Sequence, residues 1–151
     1  MTRTHIAAPA DLLDLVGRPI GVSAWYEIGQ DRVDMFADAT GDRQWIHVDP
    51  ARAAAGPFGG PIAHGYLTLA LAPMFIADVL VVDHMEAALN YGLNKVRFPA
   101  PVPVGSRVRG AVTLKAAGAR ATGIEAVFTV VYELQNSDRP ACVAEFVAMY
   151  R

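Results

Sequence analysis

One run of sequence limits the fold more than any other. Residues 65–82 read GYLTLALAPMFIADVLVV, with Asp78 as the only charge. Its length is borderline for a helix that crosses a bilayer. Pro73 interrupts it, no Lys or Arg flanks it closely, and amphipathic strands follow at once. A helix apolar on all sides is otherwise buried inside a protein. The expectation is therefore one long apolar helix with other structure wrapped around it and no membrane span.

The rest of the chain supplies the wrapping. Residues 9–16 read as a short helix, with Pro9 near its start and Gly17 past its end. Residues 19–28 read as a strand. Residues 31–39 read as a helix, with Asp31 and Asp34 in its first turn and Gly41 as the left-handed stop. Asp42 then opens a loop. Asp49-Pro50 suits the start of another short helix. GPFGGP at 56–61 is loop. Residues 86–98, 106–116, 124–134 and 141–150 read as strands. The proline-rich PAPVPVG at 99–105 reads as an extended crossing segment. Strand, helices, long helix, then four strands gives an α+β fold with an antiparallel sheet. No repeat or linker divides residues 1–151, so one domain is expected.

Composition excludes some function classes. Apolar residues are 53% of the chain and charged residues 19%, which argues against disorder. A net charge of −2 offers no basic surface for nucleic acid. The apolar excess suits a protomer that buries one face against a second copy. Cys142 is the single cysteine, so an intrachain disulfide and a Cys-based metal cluster are both excluded. Asp11 and Asp14 interrupt the N-terminal apolar residues, which leaves no signal-peptide core. A cytoplasmic protein is expected.

The chemistry-bearing residues sit in GDRQWIH, where Asp42 and His47 are five residues apart. A carboxylate and an imidazole can hold a water and move its proton. On residue chemistry alone, a turn Asp and a structural His remain open readings. Downstream, IAHGYLTLAL at 62–71 opens a helix at Gly65. Free N–H groups at a helix start can stabilise negative charge on a thioester oxygen. The alternative is that Gly65 only permits close packing.

FADATGDRQWIHVDP followed by PIAHGYLTLAL resembles the hydratase motif of the MaoC-like (R)-specific enoyl-CoA hydratases, including their NodN-like members. Phe36, Thr40, Gly41, Asp42, Ile46, His47 and Asp49 fit its first part; Ile62, Ala63, His64, Gly65 and Leu67 fit its second. LNKVRFPAPVPVG at 93–105 is similar to a further family stretch. The resemblance implies a hotdog fold, a long helix wrapped by a curved antiparallel sheet of about five strands. It also implies a homodimer that binds acyl-CoA, or an acyl-carrier-protein thioester, near the subunit interface. Asp42 and His47 would activate water, and the Gly65 N–H would polarise the thioester carbonyl. No metal or redox cofactor is implied.

Gln44-Trp45 stands where the family has Asn-Pro, and Tyr66 where Met is common. Candidate substrate contacts are Gln44, Trp45, His64, Tyr66, Asn94 and Arg97. His64 is expected to support the loop by hydrogen bonding rather than to catalyse. Lys95, Arg97, Arg107 and Arg109 are candidates for CoA phosphates. A His47/Asp49/His64 metal site matches no ligand motif. The activity expected is reversible hydration of a trans-2-enoyl-CoA to the (R)-3-hydroxyacyl-CoA. The alternatives are a hotdog thioesterase and a non-catalytic partner subunit of a hotdog dehydratase.

Overall fold

The computed structural model describes residues 3–151; Met1 and Thr2, part of the N-terminal stretch considered above, lie outside the described residues. The chain runs β1 (Thr4–Ile6), a 3-10 helix (Pro9–Leu15), β2 (Pro19–Val22), β3 (Tyr26–Glu27), α1 (Gln30–Thr40), α2 (Trp45–Val48), α3 (Pro50–Ala54), α4 (Gly65–Leu69), α5 (Ala72–Val79), β4 (Leu80–Val82), β5 (Ala88–Arg97), β6 (Arg107–Arg120), β7 (Gly123–Leu134) and β8 (Cys142–Tyr150). Six strands form one antiparallel sheet in the order β2-β6-β7-β8-β5, with β3 also paired to β6. β1 and β4 form a separate parallel pair. This is the expected α+β hotdog arrangement.

The sheet and α5 share the core. Every second residue is buried from Val108 to Leu114 of β6 and from Ala126 to Leu134 of β7, as a sheet with one covered face requires. Val112, Phe128, Val130 and Ala144 belong to one cluster with Ala72, Phe75, Ile76 and Val79 of α5. Gly110 makes the close approach possible. A Cβ there would come 2.5 Å from Cδ2 of Phe75.

Two expectations are corrected. The single long helix over the apolar run is two helices, α4 and α5, and the run ends in β4. Pro73 is the cause. It has no N–H for the Leu69 carbonyl four residues back. The phenol of Tyr132 donates to that carbonyl instead, at 2.9 Å. The helix is also not apolar-buried on every side, because Pro73 and Ala77 are exposed. The strand over 19–28 is likewise split into β2 and β3. Asp78 of α5 accepts the Ala24 N–H at 3.1 Å and the Tyr26 hydroxyl at 2.7 Å. It therefore draws Ala24 out of the ladder, and the two bonds compensate a carboxylate set in an apolar helix.

The segment that carries the candidate site is short and heavily capped. Gly41 ends α1 at φ 80, and its N–H reaches the Ala37 carbonyl at 2.8 Å. Asp49 opens α3 by accepting the Arg52 N–H at 3.0 Å. The segment expected to run extended over 99–105 does so only in part: Pro103 bridges Ile62, but the chain bends at Ala100 and turns at Val104–Gly105, where Gly105 takes φ 89 and the Ser106 N–H reaches the Pro103 carbonyl at 3.0 Å.

Candidate active site

The left-handed Gly41 turns the chain so that Asp42 leaves α1 instead of continuing it. Asp42 stays exposed. Arg43 pairs with Asp38 and ties the loop back to α1. One turn of helix, α2, then carries His47 inward, where only 6% of it remains exposed. Gln30 of α1 donates to the His47 carbonyl at 2.7 Å and fixes that turn in place.

His47 Nδ1 lies 2.6 Å from the Ile62 carbonyl oxygen. A carbonyl only accepts, so Nδ1 carries the proton and Nε2 keeps a free lone pair. Burial holds the His47 pKa below its ordinary value, and the adjacent His64 pushes the same way; the Ile62 bond and Asp42 oppose them. The result favours a neutral imidazole, the form that can take a proton.

His64 approaches from the other side. Its Nε2 is 2.9 Å from the Asp42 carbonyl oxygen, and its ring stacks on His47 at 3.9 Å. One nitrogen or oxygen atom from each of Asp42, His47 and His64 lies within 4.8 Å of the others. Asp49, weighed with the two histidines from sequence, caps α3 instead. Gly65 begins α4 directly after His64. Its first-turn position leaves its N–H without an intrahelical partner. Phe98 lies across it, so that a Cβ at 65 would touch three ring atoms at 3.4 Å.

Asp42, His47, His64, Gly65, Tyr66 and Phe98 line an open cleft of about 220 Å³. His47, Gly65 and Phe98 also line an adjoining space of about 270 Å³, walled by Ile62, Thr68, Pro101 and Val102. A polar mouth therefore leads to an apolar compartment. Such a site can hold a water between a carboxylate and a neutral imidazole, with an apolar group beside it.

The structure brings together Asp42, His47, His64, Gly65 and Tyr66. It does not bring the other candidates to them. Gln44 is exposed at the start of α2. Trp45 is held between the Arg52 guanidinium, 4.6 Å from its ring, and Gly56, where a Cβ would come 2.9 Å from Cζ3. Asn94 and Arg97 lie on β5, exposed and outside the cleft of a single chain. Lys95 and Arg97 line an outer groove with Thr129 and Glu145. Arg109 pairs with Glu133 and covers Trp25. Sequence reasoning did not single out Phe98 as a site residue, although it lies in the LNKVRFPAPVPVG stretch. Nor did it find Gln30, which no local signal marks.

The model of the MaoC-like domain matches residues 11–135. The chain belongs to the MaoC-like dehydratase family. This chain is a hydro-lyase. It is 53% identical over 142 residues to 3-hydroxyacyl-thioester dehydratase Z of Mycobacterium tuberculosis, covering 93% of this chain and 94% of that protein. It is 42% identical over 148 residues to nodulation protein N of Rhizobium leguminosarum, covering 96% and 92%. Among solved structures, the (R)-hydratase from A. caviae superposes with a TM-score of 0.71 at 25% identity, over 89% of this chain and 98% of that one.

Proposed function

We propose that this MaoC-like protein adds water reversibly to a trans-2-enoyl thioester and gives the (R)-3-hydroxyacyl thioester. One observation carries the reading. His47 has its Nδ1 committed to Ile62, which leaves Nε2 open, and it lines one cleft with Asp42 and Gly65. Water bound to Asp42 and His47 would give its oxygen to C3 and a proton, through the dyad, to C2. The electron pair that leaves the C2–C3 double bond would rest transiently on the thioester oxygen. The Gly65 N–H would stabilise that oxygen, and the apolar compartment would take the acyl chain. The names of the relatives, a 3-hydroxyacyl-thioester dehydratase and an (R)-hydratase, support the reaction class and the stereochemistry.

The working form we infer is a cytoplasmic homodimer that acts on CoA or acyl-carrier-protein thioesters without a metal or redox cofactor. β5 supports the dimer. It is a sheet edge and exposes Leu89, Tyr91 and Leu93.

The test is hydration of crotonyl-CoA, followed as loss of the conjugated thioester absorbance. Wild type hydrates it. Asp42→Asn and His47→Gln each lose about 10²- to 10⁴-fold in kcat, the usual worth of a general acid or base. Full activity in either variant removes the dyad assignment. Release of free CoA, detected with a thiol reagent, would indicate a thioesterase instead. An inactive homodimer would indicate a partner subunit.

A further inference from the structure

His64 is 2% exposed, and its ring packs against two others. His47 stacks on it at 3.9 Å with 26° between the planes, and Phe36 meets it at 4.9 Å. Its Nε2 lies 2.9 Å from the Asp42 carbonyl oxygen, so Nε2 is the protonated nitrogen. The neutral ring then has a bare Nδ1, and that atom is buried with no partner among the described residues.

A buried acceptor left unpaired costs free energy. A phenyl ring would fill the same flat space without that cost. The bare Nδ1 therefore adds nothing to stability. What a phenyl ring lacks is the N–H on the Asp42 backbone. The other ties of Asp42 itself are weak. Thr40 Oγ1 accepts the Asp42 N–H at 3.4 Å, and Asp42 Oδ1 accepts the Gln44 N–H at 3.5 Å. The Arg43–Asp38 pair is exposed.

We infer that His64 is a positioning residue for hydration: its Nε2–H fixes the Asp42 backbone while its ring fixes the plane of His47. This rests on the hydratase reading above. His64 acts through two neighbours, and it links the Asp42 loop to the start of α4. The titratable groups that face His47 are Asp42 and His64. α1 presents Gln30 to the His47 backbone and Phe36 to the His64 ring, and residues 98–102 present Phe98, Pro101 and Val102, all neutral. His64 lowers the His47 pKa, so its removal raises it.

Two variants separate the ring from its N–H. His64→Phe keeps the ring and loses the donor. It is expected to melt near the wild-type temperature, since the unpaired Nδ1 and the bond to the Asp42 carbonyl are lost together. Its kcat falls about 10- to 100-fold, as expected for a misplaced catalytic group. Its KM for crotonyl-CoA stays within about twofold, and the acid limb of its kcat profile moves to higher pH. His64→Gln carries an N–H at similar reach and recovers kcat to within about fivefold of wild type. A folded Phe variant with wild-type kcat and an unmoved pH profile overturns the inference, as does a Gln variant no better than Phe. In wild type, ¹⁵N-edited NMR of the imidazoles is expected to show His64 protonated at Nε2; protonation at Nδ1 overturns it. That measurement decides the matter if the Phe variant does not fold. An inactive wild type would count against the proposed function, and the NMR result would still decide the His64 arrangement.

Discussion

At the scale of single residues, the site depends on how two hydrogen bonds set two histidine tautomers. The Ile62 carbonyl takes the His47 Nδ1 proton, and the Asp42 carbonyl takes the His64 Nε2 proton. His47 is thereby left with its open nitrogen toward the cleft. Because its pKa is lowered by burial, the neutral base persists below the ordinary value of 6.5. The acid limb of kcat/KM is expected below pH 6.5 in wild type, and a limb above it would contradict a buried neutral base. The same shift has a consequence for stability. The unfolded chain takes up this proton first, so the stability linked to His47 is full above 6.5 and is lost as pH falls through that value. His47→Gln should flatten that part of the denaturation midpoint against pH.

At the scale of elements, the informative feature is the break between α4 and α5. Pro73 removes a donor, and Tyr132 from β7 replaces it at the Leu69 carbonyl. Tyr132 is fully buried, and burial pushes its phenol pKa up, so it stays a donor at any ordinary pH. Tyr132→Phe is expected to cost about 1–3 kcal/mol, because the Leu69 carbonyl is left unpaired. Urea unfolding measures this. Adding Pro73→Ala restores an N–H at the break, so the double variant should lose less than the sum of the single ones. A strictly additive cycle would mean that the two groups do not share this carbonyl. Gly110 gives a second handle on the same packing. Gly110→Ala drives a methyl into Phe75 and is expected to cost about 1–3 kcal/mol in the same assay.

At the scale of the whole molecule, apolar surface remains exposed on β5 and on α5. Leu89, Tyr91 and Leu93 on β5 are 41%, 66% and 44% exposed. Pro73 and Ala77 leave part of α5 uncovered, beside an apolar cavity of about 140 Å³ that Met85, Phe146 and Tyr150 also line. A sheet edge of this kind invites pairing with another chain. Analytical ultracentrifugation of wild type is expected to give twice the chain mass of 16.1 kDa. Tyr91→Lys with Leu93→Glu is expected to shift the species to one chain mass at micromolar concentration. A wild-type monomer would leave this surface unexplained.

The sequence by itself determined most of the local elements and the candidate pair Asp42 and His47. Glycine and proline fix backbone angles through their own covalent structure, so Gly41 and Pro50 marked helix ends correctly. The alternation in residues 124–134 marked β7, because side-chain period follows backbone geometry. The spacing of Asp42, His47 and Gly65 was legible because all three lie within one short segment. Pro73 set the break in the long apolar run, but tertiary structure alone supplied a partner for the carbonyl it frees, Tyr132 of β7, 63 residues away. Tertiary structure alone also turned Trp45 onto Gly56 and Arg52 and put Asn94 and Arg97 on a distant edge. It alone brought Gln30, Phe36 and Phe98 around the histidines. The physical reason is the same in each case. Propensity and spacing act along a few bonds of chain, whereas hydrogen bonds and ring contacts form between residues that only folding brings together.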